Sequence, residues 1–188
     1  MNRFPPIPDS DLTPDQQRMS ARATHTGPYP AFLRAPLLWE ALQHVRIHLA
    51  KESTLEDPLR EVVILAVARH WRCTSAFASH RGLALKAGLE EGLVAALAAA
   101  EAEPAGLSPR ERSALALVRA LLERGGIGDS LHAAALDALG ERAMVEVVGL
   151  VGFFTTICLT INLAGVGAEA PFAGAEGTYS PSGHNPDD

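Results

Sequence analysis

The run Val147–Ala164 constrains this chain more than any other segment, because eighteen consecutive residues carry no charge. Such a stretch must leave water. It either crosses a bilayer or becomes a central helix covered on nearly every side. Gly149, Gly152, Thr155, Thr156, Thr160 and Asn162 interrupt its apolar surface, no Lys or Arg directly adjoins either end, and the run occurs once. Those features favour a helix buried in a core or at a subunit interface over a membrane span. Its width asks for more cover than one small monomer supplies, which points to a homo-oligomer.

The remainder reads as helices separated by proline and glycine punctuation. Thr13-Pro14 with Gln16 has the form of a capping box with a first-turn proline, and predicts a short polar helix over about residues 14–23. Gly27, Pro28 and Pro30 break it. Pro36 opens a helix in which Leu37, Leu38, Ala41, Leu42, Val45 and Leu49 recur at helical spacing. Asp57-Pro58 opens the next, which runs to about Trp71. Cys73-Thr74-Ser75 begins another, stopped by Gly88, and Glu90–Ala100 is alanine-rich and helical. Ser108-Pro109-Arg110-Glu111 is a second capping box, and its helix ends at Gly125-Gly126. Ser130–Leu139, closed by Gly140, and Glu141–Leu163 complete the set. No strand alternation and no internal repeat is present. The expected fold is all-α, roughly seven to nine helices in a single domain over 1–188. Its core spans about 36–164, with an extended arm over 1–13 and a flexible or swapped tail over 165–188.

Composition narrows the function classes. Lys and Arg number 16 against 22 Asp and Glu, a formal charge of −6, which disfavours nucleic acid and anionic lipid as partners. Two cysteines in 188 residues make no disulfide framework. The opening MNRFPPIPDSD lacks the apolar run of a secretory signal, so a cytoplasmic protein with a small-molecule substrate is expected.

The chemistry-bearing stretch is Leu59–Leu89. Glu61 falls near the start of an otherwise apolar helix, where a carboxylate either favours the helix dipole or faces a pocket with a raised pKa. Cys73 stands at a helix N-terminus beside Arg72, a setting that promotes thiolate; a small buried hydrophobe is the other reading. His80 lies two turns on, about 10 Å along the axis, too far for a direct bond to a helical Cys73. A helical His among Ala78, Leu83 and Ala84 also fits a structural role.

The order Glu61, twelve residues to Cys73, seven to His80, then an apolar stretch ending in Ala87-Gly88-Leu89, resembles the carboxymuconolactone decarboxylase superfamily, which includes the AhpD-like alkylhydroperoxidases. The similarity is strongest over about residues 58–97. It extends more weakly to Glu141–Leu163 and to the opening RFPPIP…LTPDQQ. The resemblance implies an all-helical fold, assembly as trimers or hexamers, and no cofactor. In the peroxidase branch a Glu and a His relay protons to a Cys-x-x-Cys pair. Glu61, Cys73 and His80 match the Glu, the outer Cys and the His, whereas Ala76 stands where the inner Cys belongs and Ser75 where some members carry a further His. The decarboxylase branch often has Glu at the position of Ala76, so the chain departs from both activities at one residue. Cys158 serves as a second thiol only where the last helix packs close to Cys73.

Three readings follow. The first is a peroxiredoxin-like thiol oxidoreductase acting on peroxides through Cys73, with Glu61 and His80 as proton relay. The second is a cofactor-free decarboxylase or lactone-processing enzyme using His80 and Glu61. The third is a non-catalytic oligomer that binds a small apolar ligand. Other features carry less. His44 and His48 have metal-ligand spacing without a third ligand nearby. His70-Trp71-Arg72 fits a helix terminus, and Trp71 and Phe77 fit either a pocket wall or core. Gly125-Gly126-Ile127-Gly128 follows no strand and so fails as a dinucleotide loop.

Overall fold

The structure is a computed structural model that describes residues 3–21 and 28–166. Among these residues it is all-helical, with no strand. The helices are α1 (Pro14–Ser20), α2 (Tyr29–Phe32), α3 (Pro36–Lys51), α4 (Asp57–His70), α5 (Thr74–Lys86), α6 (Glu91–Ala98), α7 (Pro109–Arg124), α8 (Asp129–Leu139) and α9 (Glu141–Ala164). A single 3₁₀ turn, Asp9–Asp11, interrupts the otherwise non-helical N-terminal arm. Residues 22–23 of the first predicted helix, the breaker Gly27, and the tail beyond residue 166 lie outside the described residues.

Both predicted capping boxes form. Thr13 and Gln16 exchange side-chain-to-backbone bonds at α1, and Ser108 and Glu111 do the same at α7. Each exchange satisfies two backbone donors that a helix start leaves orphaned. Gly140, at φ +80°, closes α8 and starts α9 in one residue. That backbone is cheap for glycine and strained for anything with a Cβ. The helix α2 was not expected. Pro28 and Pro30 read as breakers, yet one caps α2 and the other lies in its first turn, where a missing N–H costs nothing.

The core is organised around α4, which packs against α5, α6, α7 and α9. Its side chains Val62, Val63, Leu65, Val67 and Ala68 are fully buried. A helix enclosed this way has almost no polar face, which accounts for its near-continuous apolar sequence. The buried apolar side chains form one cluster reaching from Met19 to Ile161. In α9, one side supplies Val147, Leu150, Phe153, Ile157, Cys158 and Ile161 to that cluster. The opposite side leaves Val145, Val148, Leu159 and Leu163 exposed. By length and composition α9 could cross a membrane, with a mean hydropathy of 2.1, but 56% of that window is buried within the protein. The apolar stripe of α3 is mostly uncovered in the single chain: Leu37, Leu38 and Val45 are exposed, and only Leu49 is buried.

Candidate active site

Glu61 lies one turn deeper in α4 than a dipole-stabilising position; the acidic residue of the first turn is Asp57. Its side chain is 7% exposed, among apolar neighbours. A carboxylate in such a place needs a strong partner. It has one in His80 of α5, whose Nδ1 is 2.8 Å from Glu61 Oε2. With Glu61 ionised, Nδ1 carries the proton and donates, so the lone pair sits on Nε2. The His80 ring is also held edge-on by Phe154 of α9, with centroids 5.0 Å apart. Carboxylate and aromatic together set the orientation of the imidazole.

His80 lines a cavity of about 710 Å³ between α1, α2, α3, α5 and α9. The inner wall is Ser75, Ala76, Ser79 and His80 from α5 with Phe154, Ile157 and Ile161 from α9. Across it, α3 contributes Leu37, Trp39, Gln43, His44 and Arg46, while α1 contributes Arg18 and Asp15. An apolar body with a few convergent polar groups is the usual makeup of a small-molecule site. Ala76 is part of that wall and puts no functional group into it.

Cys73 does not line this cavity. It caps the N-terminus of α5, is 0% exposed, and faces Cys158 of α9, also 0% exposed. Both thiols are free. The Cys158 thiol donates a hydrogen bond to the Cys73 sulfur, which holds Cys73 below the ordinary thiol range. Burial opposes this, and the Ala76 N–H adds to it. The same bond, with burial, pushes Cys158 well above that range. The structure therefore brings Glu61 and His80 together at the cavity, and brings Cys73 to Cys158 behind it.

Of the remaining candidates, His44 belongs to the cavity wall and the others lie outside it. His48 pairs with Glu52 at 3.1 Å, and its other nitrogen is 3.9 Å from Glu146. Among the described residues no group of three metal-binding side chains occurs. Phe77 is core, while Trp71 donates from Nε1 to Thr155 Oγ1 at 3.0 Å. Burial lowers the pKa of His70, with Glu123 partly restoring it. Gly125 caps α7 with φ +71°. The polar residue that sequence reading passed over is Glu146. Its carboxylate accepts from the Thr54 N–H at 2.7 Å, the Thr54 hydroxyl at 2.6 Å and Arg142 Nε at 2.9 Å. The signal was available as the last charge before the uncharged run.

Residues 36–120 match the sequence model of the carboxymuconolactone decarboxylase family, which supports the superfamily resemblance. The matched segment runs from the start of α3 into α7, just under half of the chain, and includes Glu61, Cys73 and His80. No curated protein matches the sequence.

Proposed function

We propose that the chain is a carboxymuconolactone decarboxylase family protein in which His80, backed by Glu61, performs proton transfer on a small organic acid or lactone. One observation carries this reading. A histidine in a cavity wall has its Nδ1 committed to a buried carboxylate at 2.8 Å, leaving Nε2 available to a ligand. In the resting pair Glu61 accepts the Nδ1 proton and fixes the tautomer. Nε2 takes a proton from carbon next to a carbonyl, and Glu61 pairs the imidazolium that forms. In an isomerisation the imidazolium then returns that proton to another carbon of the substrate. In a decarboxylation no proton is abstracted first: the electron pair comes from the C–C bond that releases carbon dioxide, and a protonated His80 delivers a proton to the carbon left behind. The substrate's own carbonyl holds the electron pair in between, so the chemistry uses no cofactor. Apolar residues of α9 and α3 seat the body of the substrate, and Arg46 and Gln43 offer donors to its oxygens.

A second reading, in which Cys73 attacks peroxides as in a peroxiredoxin, is favoured by its lowered pKa and by the adjacent Cys158. Burial weighs against it as the main activity, because Cys73 is 0% exposed and stands outside the cavity wall. The two readings separate on variants. Proton-transfer turnover of a lactone or keto-acid panel is lost in His80→Ala and kept in Cys73→Ser. Hydroperoxide consumption that dies with Cys73→Ser, in a protein inactive on the panel, would overturn the first reading.

For assembly, a second copy of the chain is the occupant proposed for the exposed side of α9. Val145, Val148, Leu159 and Leu163 stand there with Gly149, Gly152 and Asn162. Helix backbones approach closely over glycine, and Asn162 on the same side favours protein over lipid as the cover.

A further inference from the structure

The cavity has one wall that the core barely holds. Its inner face belongs to α5 and α9, which pack against α4. On the other side, α1 brings Asp15, Arg18 and Met19 to the cavity. Among residues 3–21 only Met19 is buried, with Ile7 and Leu12 partly covered by the core. In α4, by contrast, nine of fourteen residues are buried. A segment with so little buried apolar surface opens locally at far lower free energy than a core helix. A helix of seven residues also has little stability of its own.

Polar bonds hold this segment in place. Ahead of α1, the Arg3 N–H donates to the Ala164 carbonyl at 2.8 Å and Arg3 Nη1 donates to the Leu163 carbonyl at 3.2 Å. Both fill acceptors that the C-terminus of α9 leaves open. Arg34 Nη2 donates to the Pro5 carbonyl, and its guanidinium lies 5.5 Å from the Phe4 ring centroid. The arm is thus fastened at residues 3–5. Gln16 ties α1 itself to the end of α2. Its Oε1 accepts from the Thr13 N–H at 2.9 Å, completing the cap, while Nε2 of the same amide donates to the Leu33 carbonyl at 2.9 Å. A glutamate would complete the cap equally, as Glu111 does at α7, but it has no N–H for Leu33. The amide does both.

We propose that α1 is a hinged cover over the cavity, latched by Gln16, and that ligands reach His80 when it lifts from an arm still fastened at residues 3–5. Lifting takes Asp15, Arg18 and Met19 out of the wall and leaves α5 and α9 in place. The closed position shields His80, whose side chain is 19% exposed, from bulk water while a ligand is held. The inference needs only the cavity and its cover, and it stands whichever reaction His80 performs.

The test uses the full chain and its Gln16→Glu variant, which keeps the capping acceptor and loses the donor to Leu33. Two measurements are made on each. One is hydrogen–deuterium exchange read on peptides; the other is carbethoxylation of histidines by diethyl pyrocarbonate, mapped by mass. In the wild type, α1 amides should exchange faster than those of α4. In Gln16→Glu, α1 exchange and the rate of His80 modification should both rise about 3–10-fold, the weight of one lost hydrogen bond. Exchange in α4 should stay as it is, which also shows that the variant is folded. Modification of His132, exposed on α8, should not change either. Faster α1 exchange with an unchanged His80 rate would overturn the cover, because the reagent then enters by another route. Unchanged α1 exchange in Gln16→Glu would overturn the latch. Wild-type α1 amides as protected as those of α4 would overturn the proposal without any variant.

Discussion

His80 lines the cavity with its Nδ1 bonded to a buried carboxylate, and the proposed chemistry rests on the nitrogen that this bond leaves uncommitted. Replacing it with Ala removes the base and should lower kcat by about 10²–10⁴-fold, with a smaller effect on KM. Glu61→Gln keeps the shape but no longer pairs an imidazolium, so it should lower kcat in the same direction. Both are read from steady-state kinetics on a responsive panel substrate, with circular dichroism to confirm folding. The two residues are nineteen apart and on different helices, so spacing alone did not reveal the pair. The candidates themselves, Glu61, Cys73 and His80, were visible through the family resemblance. The resemblance grouped Glu61 with His80 as a relay and set Cys73 beside them; that Cys73 lies outside the cavity wall was not legible. Cys73 turned toward Cys158, eighty-five positions away, because an unforeseen left-handed Arg72 redirects the chain.

At the scale of the helix, α9 is anchored at its start by Glu146, which joins it to the α3–α4 connection through Thr54. Burial alone would raise this carboxyl. The two bonds from Thr54 and the bond and charge of Arg142 outweigh it and hold the group below the ordinary carboxylate value of 4.5. The native state therefore binds the proton less readily than the unfolded chain. The stabilisation is complete above the unfolded value and is lost as pH falls through the lowered native value. Glu146→Gln should cost about 1–3 kcal/mol at pH 7. It should also flatten the acid limb of stability, as measured by denaturant unfolding from pH 7 down to pH 3. His48 and Arg142 are the other titratable groups facing this carboxylate. Helix positions were legible because Thr13, Ser108, Pro36, Pro58 and Gly140 mark boundaries by backbone chemistry that acts locally. The single turn α2 was not, since the same prolines that end one helix can begin another.

For the whole molecule, the uncharged run behaves partly as its sequence demands. One side of α9 enters the core, and the other keeps Val145 71% and Leu163 61% exposed. That unpaired side, continuous along the helix, is the physical ground for proposing a homo-oligomer. The double variant Val148→Glu/Leu163→Glu should shift the protein to monomer in light scattering coupled to size exclusion. The wild type should run at a multiple of the chain mass. A wild type that is monomeric without detergent would contradict the proposed assembly, and one that sediments with lipid vesicles would point to a membrane instead. The face was foreseeable as a need for cover, since eighteen uncharged residues exceed what one small core encloses, but which residues face out depended on where α4 lay.

The central claim is that proton transfer at His80, and not thiol chemistry, is the main activity. It is tested most directly by proton NMR in deuterium oxide. A panel of small lactones and keto acids is followed with the wild type, His80→Ala and the double variant Cys73→Ser/Cys158→Ser, and hydroperoxide consumption is measured in parallel. Deuterium incorporation or decarboxylation by the wild type is expected, retained in the cysteine double variant and lost in His80→Ala. Turnover confined to hydroperoxide and abolished by removing the cysteines would contradict it.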